Sequence, residues 1–329
     1  MDSPFPPSSL SPGDGHIVVS LLPAGGSGLE KMTYQYPLKL IAPSPSVDQD
    51  SILVFLLSYG GGLVAGDTVN LSIHVRPKSK LSIATQGHTK IFKTPSTEVI
   101  TRQNIHAQIG NDAGLCLLPD PVQPFEDSVY AQIQIFRLDN RASLCLLDWV
   151  THGRSARGEN WSLTKWTGRN EVWLCDPKGS TQERLLVRDS VILSKDGSQA
   201  VGRTLQDMMQ KMAVSGTLIL RGDMMKSLGE FFLAEFDALP RIGAQDFRSP
   251  EAKAKANSGV SDLQYWRSKR LEMEKQGGIL WSAARVRGCV IVKFGATAVE
   301  AGREWIGTMI MKEGSISTQF GDQSMMCIR

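Results

Sequence analysis

The chain has 329 residues, 41% hydrophobic and 21% charged, enough to bury a full core without disulfides or metals as staples. Its 36 basic and 33 acidic side chains leave a net charge of +3, which argues against a protein held to nucleic acid by a dense basic excess. The mean hydropathy of -0.14 and the brevity of the most apolar run, Ile52 to Leu57, argue against a membrane-spanning helix, which takes ~20 apolar residues.

The first stretch, MDSPFPPSSLSPGDG, is rich in Pro and Ser and has neither a basic n-region nor an apolar h-region. It reads as a disordered tail over residues 1–15 rather than a signal peptide. From about His16 to Leu193 the chain reads as short strands separated by turns. The clearest runs from Val69 to Arg76, where Val69, Leu71, Ile73 and Val75 alternate with polar residues and so share one face of a sheet. Further strands are expected at Leu81–Ile83, Ile91–Phe92, Ile105–Ile109, Leu115–Leu118, Ala131–Leu138, Leu144–Val150, Trp161–Trp166, Val172–Cys175 and Leu185–Leu193. The intervening GNDAG, LDNRA, TGRNE, DPKGS and SKDGS carry the residues that turns favour. Many short strands at near-regular spacing indicate a sandwich, a barrel or a coiled β-solenoid.

After about Val201 the period lengthens. Leu205, Met208, Met209 and Met212 predict an amphipathic helix, Gly216–Leu220 a strand, and Met225, Leu228 and Phe232 a second helix. Residues 245–278 are polar and charged and read as a surface insertion, within which Ser261 and Gln264 suit a capping box for a helix through Lys275. Val286–Phe294 returns to strand character, and Thr297 with Glu300 is a second capping-box candidate opening a helix through about Met311. The expected fold is mainly β, a coiled β-solenoid or sandwich-like single unit over residues 16–329, with a few helices toward the C-terminus.

The 5 cysteines are widely spaced, form no CxxC, and four lie in apolar runs, which predicts buried thiols in a reducing, cytoplasmic setting. The 5 histidines are isolated in sequence from one another and from cysteine. No P-loop, HExxH, GxSxG or EF-hand motif occurs. Four segments remain that carry chemistry. GGGLVAGD, Gly60 to Asp67, suits a tight turn that Asp67 caps. QGHTKIFK, Gln86 to Lys93, offers His88 and Lys90. LPDPVQPF, Leu118 to Phe125, is stiffened by Pro119, Pro121 and Pro124 around Asp120, as either a recognition surface or a rigid connection. DWVTHGRSARGE, Asp148 to Glu159, gathers Asp148, His152, Arg154, Arg157 and Glu159, either as an interface or as a solvated loop with a local Arg–Glu pair. Asp148 and Glu159 also admit an acid/base pair of a β-rich hydrolase.

In this order these segments, with LLVRDSVIL and VIVKFGATAVEAGREWI, resemble the urease accessory protein UreD (UreH) family from about His16 to Met311. The insertion around 245–278 is like the longer fungal and plant forms, and His88 stands where bacterial relatives often have a small residue. The resemblance implies a non-catalytic part in urease maturation, bound to apo-urease and to a UreF-like accessory protein that recruits a UreG-like GTPase. It also implies transient nickel passage with no stable site. Carried over by position, Asp67, Asp120 and Glu159 become metal-passage candidates, joined by Asp148 and His88. Lys90, Pro119, Pro121, Arg154 and Arg157 become partner-binding or structural positions. Glu159 is the leading candidate to line the passage.

Overall fold

In strand Thr68–Val75 the apolar beat is buried while Asn70 and Ser72 are exposed, so the strand needs a second sheet against its apolar face. The computed structural model, which describes residues 11–44, 51–175, 183–240 and 261–329, supplies that second sheet by winding the chain. The strands are β1 (Asp14–Leu21), β2 (Ser27–Tyr34), β3 (Leu38–Ile41), β4 (Ile52–Ser58), β5 (Thr68–Val75), β6 (Lys80–Ala84), β7 (Thr89–Ile91), β8 (Thr101–Ile109), β9 (Gly114–Leu117), β10 (Val122–Pro124), β11 (Val129–Leu138), β12 (Ser143–Thr151), β13 (Lys165–Leu174), β14 (Arg184–Ser194), β15 (Val214–Arg221), β16 (Leu280–Val286) and β17 (Cys289–Ala296). One sheet runs β14-β13-β11-β8-β5-β1-β2, and the other β16-β17-β15-β12-β9-β6-β4-β3 with β7 and β10 attached.

Apart from the short β7 and β10, the chain alternates between the sheets from β4 to β13. Each return adds a parallel strand: β5, β8, β11 and β13 in the first sheet, β4, β6, β9 and β12 in the second. This is the expected coiled, sandwich-like β architecture. Its corners stack on one another. Lys78 donates its backbone N–H to the carbonyl of Asn111 at 3.0 Å, and Asn111 donates its own to the Asp139 carboxylate at 3.1 Å. Such repeated corners keep successive coils in register, and register decides which side chains meet inside.

One core lies between the sheets, with Ile17, Leu71, Ile83, Tyr130, Phe136, Leu146 and Val172 among its members. A second lies on the outer face of the second sheet. There β12 is buried along its whole length, which explains the near-continuous apolar run in SLCLLDWVT. Its cover comes chiefly from helices. The helices are α1 (Lys195–Ala200), α2 (Leu205–Met208), α3 (Lys226–Asp237), α4 (Asp262–Gln276), α5 (Val299–Glu313) and α6 (Ser315–Phe320). Leu228 and Phe232 of α3 and Trp305, Ile306 and Met309 of α5 pack there on Leu147, Leu218 and Val292. No helix among the described residues is long and apolar enough to cross a membrane.

Several local expectations change. TGRNE is not a turn but the middle of β13, because Gly168 leaves room for the Trp166 ring and Asn170 and Glu171 are buried with partners. Residues 161–164 precede that strand, with Trp161 at φ 55. Val286–Phe294 is a hairpin, turning at Arg287–Gly288 between β16 and β17. The helix expected through Met212 stops after one turn, capped by Thr204 and Asp207, because Gln210 and Lys211 take positive φ. Thr297 does not cap α5; its hydroxyl donates to the carbonyl of Gly277. Cys116, Cys145, Cys289 and Cys327 are buried and Cys175 is half-buried. Residues 1–10 of the expected tail and 245–260 of the expected insertion lie outside the described residues, while Asp14 and Gly15 already belong to β1.

The described part of that insertion is helix α4, which carries the capping box of Ser261 and Gln264 and is built into the second core. Arg270 is 1% exposed and bonds Glu274 at 2.5 Å and Glu235 of α3 at 3.4 Å. Glu274 also accepts from the indole N–H groups of Trp281 and Trp305, at 2.9 and 3.0 Å. Arg267, a third exposed, is a second partner of Glu235. Truncating Arg270 leaves two buried carboxylates short of their counter-charge. Arg270→Ala is therefore expected to lower the unfolding free energy by about 3–5 kcal/mol. Arg267→Ala, at the rim, is expected to cost much less. Urea unfolding of both variants checks the order.

Candidate functional site

Strand β11 reverses the usual alternation. Tyr130, Gln132, Gln134, Phe136 and Leu138 face inward and are buried, while Ile133 and Ile135 lie on the outer beat and are half-buried. Two glutamine side chains thus enter the space between the sheets, where an unpaired amide costs free energy. Their partner comes from the second sheet. Gln132 donates to one carboxylate oxygen of Asp148 at 2.9 Å, and Asn170 of β13 donates to the other at 2.6 Å. Gln134 donates to the Asn170 side-chain oxygen at 3.0 Å, and the Tyr130 hydroxyl to the Gln132 oxygen at 3.2 Å. Burial pushes the Asp148 carboxyl above its ordinary range, outweighing the two amide donors.

This polar seam continues in both directions. Register places Asn170 beside Asp189 of β14, and Asp148 beside Thr217 of β15, itself beside Lys293 of β17. Asp189 closes that end of the seam, accepting from Thr217 at 3.0 Å and from Lys293 at 2.6 Å. Toward the other end, a small void of about 30 Å³ is lined by Asp148, Gln132, Gln134, Asp120, Thr89 and Thr85, among others. It shares Thr85, Thr89 and Gln103 with a larger cavity of about 290 Å³ whose rim includes Tyr59, Gly60 and His88.

Asp120 stands at the junction. It accepts from the Thr85 hydroxyl and the Gly87 N–H, each at 2.9 Å, and from Arg303 of α5 at 2.8 Å. Burial alone would raise its pKa, but Arg303 and Thr85 together hold the carboxyl below the usual range. Arg303 also bonds the carbonyl of Cys327, tying the last residues to the junction. Burial lowers the His88 pKa despite the nearby Asp120 charge, so its imidazole is neutral at neutral pH. Among the described residues no three His, Cys, Asp or Glu side chains form a group able to hold a metal ion.

The structure thus brings together three of the five metal-passage candidates, Asp120, Asp148 and His88. Asp67 is elsewhere and caps its turn, accepting from the Val64 N–H at 2.9 Å. Glu159 lines neither cavity. It is buried in the loop after β12, where it accepts from the Arg154 backbone at 2.9 Å and the Arg154 side chain at 2.8 Å, and these bonds offset its burial and depress its pKa. Arg154 in turn covers the Phe125 ring at 3.8 Å. Arg157 and Lys90 are exposed. The carbonyl of Pro119 accepts from the Trp149 indole and that of Pro121 from the Thr89 N–H, which ties LPDPVQPF to β12 and β7. Asp148 and Glu159 share neither cavity, so the carboxylate pair of the hydrolase alternative is not assembled. Sequence reasoning missed Gln103, Gln132, Gln134, Asn170, Asp189, Lys293 and Arg303. The one available signal was in YAQIQIFRL, where both glutamines fall on the same beat as Tyr130, Phe136 and Leu138.

The family model for the UreD urease accessory protein matches residues 13–323. A Schizosaccharomyces pombe protein named uncharacterized urease accessory protein ureD-like is 34% identical over 276 residues, covering 84% of this chain and 86% of its own length. Urease accessory protein 4 of Cryptococcus neoformans is 28% identical over 314 residues, 87% of this chain and 86% of its own. Urease accessory protein D of Arabidopsis thaliana is 34% identical over 195 residues, 59% of this chain and 64% of its own.

The raised pKa of Asp148 makes a pH prediction. Between its unfolded and native pKa values the native state binds more protons than the unfolded chain, so this contribution to stability is lost as pH rises through that window. Unfolding free energies of wild type and Asp148→Asn, measured from the ordinary aspartate range upward, are expected to differ in slope, the fall being shallower in the variant. Parallel profiles would contradict the assignment.

Proposed function

The chain belongs to the UreD family of urease accessory proteins, and on that premise we propose that it is a scaffold and nickel conduit in urease maturation. In this reading it acts in the cytoplasm without catalysis of its own. It holds apo-urease and a UreF-like accessory protein, and reaches a UreG-like GTPase through the latter. Nickel is the cargo and has no resident site within the seam.

The observation that carries the reading is the polar seam through an otherwise apolar sandwich. A divalent ion between two sheets must exchange its water for protein oxygen and nitrogen. His88 at the rim, Asp120 at the junction and Asp148 between the sheets supply such groups in succession, with glutamine amides lining the void between Asp120 and Asp148. A cage of imidazoles and thiolates would retain nickel, whereas single carboxylates let it leave. Arg303 is the cation already seated on Asp120, so the ion competes with a guanidinium there. In this assignment Asp67 and Glu159 maintain the turns that frame the seam.

The test is co-expression with apo-urease, a UreF-like and a UreG-like protein, and purification by a tag on urease. The chain is expected in the complex; its absence would overturn the scaffold role. Asp148→Asn is expected to remain in the complex while nickel bound to urease falls severalfold. Glu159→Ala is expected to reduce recovery of the chain and nickel together. Wild-type nickel content with Asp148→Asn would overturn the conduit.

A further inference from the structure

We propose that His16 and His74, with His106 beside them, form a surface site for a divalent transition-metal ion on the outer face of the first sheet. The three are remote in sequence, and coiling brings them together. Strand β5 lies between β1 and β8, with all three parallel. Register pairs His16 with Ser72 and Ser72 with His106, so the two histidines flank one serine, their strands roughly 10 Å apart. His74 lies two positions along β5 from that serine, opposite Val18. The alternate residues Ile17, Leu71, Ile73 and Ile105 point into the core, which puts the histidine set on the outer face.

On that face Ser72 and His106 are exposed and His16 and His74 half-buried. His16 and His74 stand diagonally across the paired strands β1 and β5, His16 opposite Ser72 and His74 opposite Val18. His16, Ser72 and His106 line one open groove together with Asp14 and Lys31. Neutral imidazoles are preferred ligands of nickel, copper and zinc. Burial and Lys31 keep His16 unprotonated at neutral pH, and burial and Arg137 do the same for His106. As the side chains stand, no three ligands converge. The ion therefore takes nitrogens from His16 and His74 and keeps water in its other positions, and His106 approaches by rotation of an exposed ring. Lys31 and Arg137 repel a cation, so binding is weak and exchangeable. The site lies on the opposite side of the first sheet from the Asp148 seam and does not depend on the conduit reading.

The test uses the full chain, freed of any polyhistidine tag and carrying labelled imidazoles, titrated with nickel(II) chloride alone. Paramagnetic broadening is expected first at the His16 and His74 ring signals, before His88 and His152. By equilibrium dialysis the His16→Ala/His74→Ala variant is expected to lose one bound nickel relative to wild type. Unbroadened His16 and His74 signals, or an unchanged nickel count in the variant, would overturn the site.

Discussion

A carboxyl group between two β-sheets must be hydrogen-bonded or neutral, and the interior of this protein is arranged around meeting that demand at Asp148. Water would have bonded both carboxylate oxygens; here Gln132 and Asn170 take its place. Leaving either contact unmade would cost about 1–3 kcal/mol. The replacement donors then need partners of their own. Gln134 satisfies the Asn170 oxygen and Tyr130 the Gln132 oxygen, so one buried acid draws four other polar side chains into the core. These residues contribute little to cohesion one by one, but they stand as a set, because removing any one of them orphans the next.

The coil makes this set possible. Gln134, Asn170 and Asp189 come from three strands, and parallel pairing of β11 with β13 and antiparallel pairing of β13 with β14 align them in one row. On the facing sheet Asp148, Thr217 and Lys293 form the matching row. The helical layer takes part as well. Arg303 reaches from α5 to Asp120 across 183 positions of sequence, so the layer that covers the second sheet also sets the charge at the junction of the two cavities. Urease accessory function, in the proposed form, uses the seam these constraints create.

Parts of this were legible before the structure. The alternation in β5 announced a one-sided strand, the capping box at Ser261 and Gln264 fixed the start of α4, and the turn capped by Asp67 was read for what it is. The ordered motifs carried the family and, through it, the coiled fold. The seam was not legible, for physical reasons. In β11 the conspicuous isoleucines lie on the outer beat and the glutamines inside, so a hydrophobicity rule assigns the faces in reverse. TGRNE looked like a turn because its glycine and asparagine suit one, whereas its glycine makes room for an indole and its asparagine supports a buried acid. Glu159 drew attention through the family resemblance, and the sequence did not show that Arg154, five positions before it, bonds its carboxylate. The isolated histidines of the sequence became neighbours for the same reason that Gln134 met Asn170: pairing register is a long-range property.

If the chain is a conduit as proposed, the polar character of the seam, rather than its mere shape, is what passage of the ion depends on. The most direct measurement is the nickel content of urease matured in the presence of a Gln132→Met/Gln134→Met chain, in which side chains of similar length make the seam apolar. The variant chain is expected in the maturation complex, with the urease bound to it lacking most of its nickel. Urease fully loaded with nickel by that complex would contradict the conduit.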